Sequence, residues 1–124
     1  MRVGEGVVEE LAELLERHVR AHRYALISDT RVFALHGERV LSLISTAGAV
    51  SAHTFPEGEE HKSRAEWSRL TDELLAAGVG RDGCVVALGG GVTGDLAGFV
   101  AATYMRGIPV VQLPTSLVAM VDSA

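Results

Sequence analysis

Apolar residues recur along the chain with two different spacings, and the alternation predicts helices and strands in turn. Over Val7–Val19 apolar side chains return every three or four positions, which is typical of one face of a helix. The same spacing returns over Val32–Ile44 and Trp67–Leu75. A Ser-x-x-Glu sequence at Ser63 has the form of a capping box, so we expect the third helix to begin there and to end near Gly78.

Short apolar runs separate these helices and predict buried strands. The runs are Tyr24–Ile27, Ala49–Phe55, Cys84–Leu88 and Ile108–Leu113. Most do not alternate polar with apolar residues, a pattern typical of parallel strands covered on both faces. A small-residue helix, Leu96–Met105, is predicted between the last two runs, with Gly107 as its carboxy-terminal cap. Residues 1–124 therefore predict one α/β domain in which helices flank a parallel sheet.

Composition narrows the classes of protein that fit this pattern. A chain of 124 residues is enough for one domain with a buried core. Its formal charge of -5, with scattered basic residues, argues against a nucleic-acid partner. No run reaches the roughly 20 apolar residues of a membrane span, and no secretory signal is evident. We therefore expect a cytoplasmic protein with no membrane partner.

Metal and thiol chemistry are not indicated by the residues themselves. His18 and His22 have the i, i+4 spacing of a zinc pair, but no third ligand has a matching place. Cys84 is the single cysteine, which excludes an internal disulfide. Because it lies in an apolar strand, we expect a buried core residue. The sequence therefore predicts no metal ligand in this chain.

Three consecutive glycines, Gly89–Gly91, lie between a predicted strand and the following helix. Bare backbone N–H groups at a helix start bind phosphate well. Gly89, Gly91 and Gly94 also match the G-x-G-x-x-G spacing of a Rossmann dinucleotide site. That fingerprint expects a carboxylate about 20 positions later, and residues 108–112 contain none. The alternative is that the glycines serve only a tight turn.

Other polar candidates each have an ordinary structural alternative. We expect Asp95 in the first helical turn, where a carboxylate stabilises a helix without any ligand. Glu59 and Lys62 are either solvated loop charges or ligand groups. Arg106 either holds an anion or complements the carboxyl end of a helix dipole. Thr115 is either a helix cap or a ligand contact.

A resemblance to one family extends these local readings. The run Val85–Ile108, which contains the glycines and ends in Tyr-Met-Arg-Gly-Ile, resembles the 3-dehydroquinate synthase family. The segments Pro56–Lys62, Pro114–Leu117 and Val121–Ser123 extend the match. The resemblance is close over residues 55–124 and implies a Rossmann-like, amino-terminal NAD-binding domain over the whole chain.

The resemblance implies roles for particular residues. Asp29, Glu59 and Lys62 match positions at the adenosine ribose, which supplies the acid missing after the glycines. The cofactor-binding residues it implies are Asp29, Glu57, Gly58, Glu59, Lys62, Gly90, Gly91, Val92, Thr93, Gly94, Asp95, Thr115 and Ser116. The substrate-binding residues it implies are Arg106, supplied to the substrate phosphate across a dimer, and Asp122, at the substrate hydroxyls. Two departures from the family pattern are Arg31, usually Asn, and Ser116, usually Thr.

The resemblance also implies a reaction. The family converts 3-deoxy-D-arabino-heptulosonate 7-phosphate, a phosphorylated keto acid, to 3-dehydroquinate and phosphate in the shikimate pathway of aromatic amino acid biosynthesis. NAD is reduced and regenerated in each turnover, and a divalent metal, zinc or cobalt, polarises the oxidised hydroxyl. The metal ligands, one Glu and two His, lie outside this chain. We therefore expect a homodimer at full length, and no activity from these 124 residues alone.

Three alternatives remain at this point. Another sugar phosphate cyclase or an iron-dependent alcohol dehydrogenase-like enzyme shares the architecture implied by the resemblance. A nucleotide-binding module without catalysis is a third possibility. The positions of Arg106 and Asp122 favour 3-dehydroquinate synthase over the other enzymes.

Overall fold

The computed structural model describes Glu13, Leu15 and residues 20–122, with side chains described as far as Val118. Its centre is a four-stranded parallel sheet with the strand order β2-β1-β3-β4. The strands are β1 (Arg23–Asp29), β2 (Ala49–Phe55), β3 (Cys84–Leu88) and β4 (Val110–Leu113). This architecture confirms the predicted α/β fold. Glu13 and Leu15 are helical, and the rest of the predicted helix Val7–Val19 lies outside the described residues.

Four helices connect and follow the strands. Helix α1 has three continuous segments, of which the middle one is a π-helical turn: Thr30–Val32, Phe33–Gly37 and Glu38–Ser45. The others are α2 (Arg64–Ala76), α3 (Gly91–Thr103) and α4 (Thr115–Asp122). Short 3₁₀ turns cover Glu59–His61 and Tyr104–Arg106. No helix among these residues is long and apolar enough to cross a membrane.

The predicted start of α2 is confirmed by its cap. Ser63 has extended backbone geometry, and its hydroxyl oxygen accepts a hydrogen bond from the Glu66 N–H at 3.3 Å. This bond satisfies one of the N–H groups that the first helical turn leaves without a partner. The sequence signal was readable because both partners lie within four residues of each other.

The central strands β1 and β3 are buried on both faces. All five residues of β3 are inaccessible to solvent, as are the middle five of β1. The face covered by α2 and α3 comprises Ala25, Ile27, Leu70, Leu74, Val85, Ala87, Leu96 and Val100. The opposite face, covered by α1 and α4, comprises Tyr24, Leu26, Val40, Ile44, Cys84, Val86, Leu113 and Val118. Burial on both sides explains why these strands read as continuous apolar runs.

The helix after the glycines begins five residues earlier than its sequence pattern predicts. α3 starts at Gly91, not Leu96, and the Gly94 N–H donates to the Gly90 carbonyl at 2.9 Å. Gly94 faces β4 so closely that a Cβ atom there would lie 2.9 Å from Gln112 Oε1. That oxygen ends a flexible, exposed side chain, so the earlier start of α3 is better explained by the packing of Leu96 and Val100 on the sheet, which overrides the poor helix propensity of glycine.

The carboxyl end of α3 is held by a buried tyrosine. Tyr104 is 2% exposed, and its hydroxyl donates to the Val79 carbonyl at 2.7 Å. Burial of the phenol raises the pKa of Tyr104 above its ordinary value. This bond ties the end of α3 to the segment that leads into β3.

Replacing Tyr104 by Phe should destabilise the chain by about 1–3 kcal/mol, because the Val79 carbonyl would lose its partner inside the core. Equilibrium unfolding in urea should show a lower midpoint with an unchanged slope. Ser45→Ala is the control, since that hydroxyl bonds the Ser42 carbonyl at an exposed site. Equal midpoints for Tyr104→Phe and the unmodified chain would contradict the assignment.

Candidate functional site

The carboxyl ends of the strands form one edge of the sheet, because all four run parallel. After β1 the chain moves outward to β2, and after β2 it crosses back past β1 to β3. The loops after β1 and β3 therefore leave in opposite directions, which opens a crevice at this edge. Ser28 holds the two strands together there, since its buried hydroxyl donates to the Leu88 carbonyl at 2.9 Å.

The glycine turn opens from the end of β3 into this crevice. Gly89 has φ of +147°, and a Cβ atom there would lie 2.8 Å from Thr93 Oγ1. At Gly90 and Gly91, by contrast, a Cβ atom would meet nothing within 4 Å. The surface above these two glycines is therefore open, and a ligand can approach their backbone directly.

The first turn of α3 presents N–H donors that have no acceptor within the helix. A helix leaves its first N–H groups without intrahelical acceptors, and here these belong to Gly91, Val92 and Thr93. The N-cap residue is Gly90, which has no side-chain oxygen to accept from them. The positive end of the helix dipole adds to their attraction for an anion. These features fit the pyrophosphate of a dinucleotide.

Lys62 joins the loop after β2 to α3. Its Nζ lies 3.2 Å from Glu59 Oε1 and 3.3 Å from Asp95 Oδ2. Lys62 donates hydrogen bonds to Glu59 and to Asp95, and these bonds, the one to Glu59 first, raise the pKa of Lys62 above its ordinary value. Asp95 is the fifth residue of α3, so its expected place in the first helical turn was wrong. The structure thus brings three of the predicted residues together.

Other predicted residues line a groove of about 480 Å³. Asp29, Glu57, Thr115 and Ser116 line it together with Arg31. Asp29 also caps α1, because its Oδ1 accepts from the Val32 N–H at 2.7 Å. The guanidinium of Arg31 lies 3.9 Å from Glu57 Oε2. The arginine that departs from the family pattern is therefore inside the candidate site.

A second groove, of about 780 Å³, runs between α2 and α3. Lys62 and Asp95 stand at this groove, and its apolar lining includes Trp67 and Phe99, whose ring centroids are 5.5 Å apart. The Trp67 indole N–H donates to Thr103 Oγ1 at 2.9 Å. The sequence pattern placed Trp67 on the apolar face of its helix and gave no sign that Phe99 lies beside it. Only the placement of α2 beside α3 shows that both rings border the charged residues.

Arg106 lies away from the other candidates. The 13 residues of α3 rise about 20 Å from the carboxyl edge of the sheet to its other end, where Arg106 follows the helix. It is exposed, with φ of +72°, and Met105 before it has φ of +46°. Asp122 ends α4, and its side chain is not among those described.

Within the described part of the chain, no group of three or more His, Cys, Asp or Glu side chains could hold a metal ion. His22 Nδ1 pairs with Asp82 Oδ1 at 2.6 Å, while His18 lies outside the described residues. Cys84 is fully buried, and desolvation raises the pKa of its thiol to about 12. The expectation that Cys84 is a core residue is confirmed.

Lys62 is the only lysine, so its titration can be followed without overlap by NMR of the side-chain carbons. We expect a pKa above 10.5, lowered by Glu59→Gln and by Asp95→Asn, with the larger change for Glu59→Gln. Because the pKa of Lys62 is higher in the folded state, its ion pairs stabilise the fold fully below the pKa of Lys62 in the unfolded state. That contribution is lost as the pH rises through the pKa of Lys62 in the folded state. Glu60→Gln is the control, since Glu60 pairs with His61 instead. An unmoved midpoint in both test variants would contradict the bridge.

The chain is similar in sequence and in structure to known proteins. The model of the amino-terminal region of 3-dehydroquinate synthase matches residues 52–124, more than half of the chain. The 3-dehydroquinate synthase of Pelotomaculum thermopropionicum is 48% identical over 122 residues, which is 98% of this chain and 33% of that protein. That of Symbiobacterium thermophilum is also 48% identical, over 98% of this chain and 35% of its own length. The chain thus spans about a third of these relatives.

Solved structures show the same fold. A 2-deoxy-scyllo-inosose synthase, complexed with carbaglucose-6-phosphate, NAD⁺ and Co²⁺, superposes with a TM-score of 0.81 and 30% identity, over 88% of this chain and 30% of that one. A 2-epi-5-epi-valiolone synthase from Streptomyces hygroscopicus, with NAD⁺ and Zn²⁺ bound, superposes with a TM-score of 0.67 and 28% identity. The match covers 77% of this chain and 27% of that one. By its matched residues and its relatives, this chain belongs to the 3-dehydroquinate synthase family.

Proposed function

We propose that this chain is the NAD-binding part of a 3-dehydroquinate synthase. The observation that carries the proposal is the open glycine turn, where Gly90 and Gly91 leave bare backbone above the first turn of α3. Among the described residues, an added Cβ at either glycine would meet no other atom within 4 Å. The absence of side chains at these two positions allows a phosphate group to approach the backbone N–H groups closely.

We propose that the remaining candidate residues bind the other parts of the same cofactor. The N–H groups of Gly91, Val92 and Thr93 would hold the pyrophosphate, and the Asp29 carboxylate would accept from ribose hydroxyls. The position of Asp29 at the carboxyl end of β1, directly after Ser28, which pairs with Leu88 of β3, supports this role. The further contacts that we propose are Glu57, Gly58, Glu59, Lys62, Gly94, Asp95, Thr115 and Ser116. Two structural neighbours crystallised with NAD⁺ support the cofactor's identity.

Bound NAD would supply a reversible hydride acceptor for the family's reaction, which converts a phosphorylated seven-carbon keto acid to 3-dehydroquinate in the shikimate pathway. The role of this chain is to bind and orient that cofactor. The Lys62 ammonium, flanked by Glu59 and Asp95, stays positively charged at neutral pH and holds the loop after β2 against α3. A fixed loop limits the positions that the adenosine end can take.

Substrate binding is proposed for Arg106 and Asp122. Because α3 separates Arg106 from the glycine turn by about 20 Å, its guanidinium would serve the phosphate of a substrate in a second subunit. A homodimer follows from that assignment. Zinc or cobalt would be held by residues that the relatives carry outside the third matched here. The single cysteine agrees with the reducing cytoplasm.

Gly91→Ala tests the site without a steric cost to the fold. Its new methyl group would enter open space, so the thermal midpoint should change little, while NAD should bind at least about tenfold more weakly, or about 1.4 kcal/mol. Calorimetric titration with NAD measures this. Gly90→Ala should behave in the same way.

The matched control is Gly98→Ala, in the same helix and also with nothing within 4 Å of its Cβ position. Alanine there should raise stability by about 0.5–1 kcal/mol and leave NAD affinity unchanged. NAD binding that survives in both Gly90→Ala and Gly91→Ala would refute the proposed pyrophosphate site. No heat from the unmodified chain would leave these residues with a structural role.

The chain alone should not complete the reaction. With NAD, zinc and 3-deoxy-D-arabino-heptulosonate 7-phosphate, we expect no release of phosphate, because the metal-binding residues implied by the family lie elsewhere. A coupled phosphate assay checks this, with a full-length relative as the positive control. Formation of dehydroquinate by these 124 residues would contradict the proposed division of labour.

A further inference from the structure

A hydrogen-bonded chain of three side chains lies on β2 and α2, outside the proposed cofactor site. Ser51 Oγ lies 2.7 Å from His53 Nε2, and His53 Nδ1 lies 2.9 Å from Glu73 Oε1. Ser51 and His53 are two residues apart on one strand, so both point to the same face of the sheet. That face is the one covered by α2, which carries Glu73.

The order of the partners determines which atom carries each proton. An ionised carboxylate only accepts hydrogen bonds, so in the neutral imidazole the proton lies on Nδ1, facing Glu73. Nε2 then has a free lone pair and accepts from the Ser51 hydroxyl. This is the arrangement of nucleophile, base and orienting acid that activates serine in unrelated enzymes.

The orienting carboxylate is itself held in place. The second oxygen of Glu73, Oε2, pairs with the Arg69 guanidinium. Arg69 also donates to the Thr54 carbonyl at 2.7 Å and to Glu66 Oε2 at 2.6 Å. With Glu73 fixed on both sides, the imidazole keeps one orientation towards Ser51.

Exposure fits a nucleophile at the surface with its base shielded. His53 is only 5% exposed, whereas Ser51 is partly accessible. In the described sheet β2 is an outer strand, bonded to β1 alone. Ser51 is also four residues before Phe55, where β2 ends at the cofactor edge. A reagent can therefore approach Ser51 without entering the proposed NAD site.

We propose that Ser51 is an activated nucleophile that accepts an acyl group from an activated ester. Ser51 Oγ forms a bond to the carbonyl carbon, and the bond from that carbon to the aryl oxygen breaks. The hydroxyl proton passes to His53 Nε2 and then to the departing phenolate. The products are an acyl-serine and a phenol, so no further reactant is needed. This site does not depend on the proposed cofactor function.

Reaction with 4-nitrophenyl acetate tests the proposal, with the acetylated peptides mapped by mass spectrometry. In the unmodified chain, acetylation of Ser51 should be faster than that of exposed Ser45, whose hydroxyl donates to the Ser42 carbonyl. His53→Gln should slow acetylation of Ser51 at least about 100-fold, because the general base is lost. Glu73→Gln should slow it as well.

Ser45→Ala is the matched control and should leave acetylation of Ser51 unchanged. Circular dichroism should confirm that each variant is folded. The map of the unmodified chain decides the question even if a variant unfolds: similar acetylation of Ser45 and Ser51 would overturn the proposal. An unchanged Ser51 rate in folded His53→Gln would overturn it too. Lys62 and the amino terminus also acetylate, and the map separates them from Ser51.

Discussion

Burial of β1 and β3 on both faces is the constraint from which the rest of this structure follows. Two strands that are apolar on both sides need a helical layer on each, so α2 and α3 cover one face while α1 and α4 cover the other. Parallel strands then require the chain to return through those helices. Every strand consequently ends at one edge, where the polar and glycine-rich segments collect.

The glycines at this edge separate by what surrounds them. Gly89 has a positive φ, which residues with a side chain rarely adopt, so it serves the fold. Gly90 and Gly91 face empty space, so the fold does not require them. Three consecutive glycines that look alike in the sequence therefore differ in the structure: the backbone requires Gly89, whereas Gly90 and Gly91 leave the surface open. The proposed ligand contacts are at Gly90 and Gly91.

The charged residues also divide by position. Lys62 reaches from the loop after β2 to Asp95 on α3 and so joins two segments that are 33 residues apart. The side chains of Lys62, Glu59 and Asp95 are all exposed, and ion pairs between exposed groups contribute little to the free energy of unfolding. Their value is in position rather than energy. Arg106, at the far end of α3, lies outside this cluster.

The sequence alone determined the parallel α/β pattern, the cap at Ser63 and the glycine turn, because each depends on neighbours a few residues apart. It misplaced the start of α3, since glycine is a poor helix former and that propensity is overridden by the packing of Leu96 and Val100 on the sheet. The Lys62 bridge, the Trp67 groove and the Ser51–His53–Glu73 chain were decided by tertiary structure. Each joins residues from separate elements, and their distances exist only once the helices lie on the sheet.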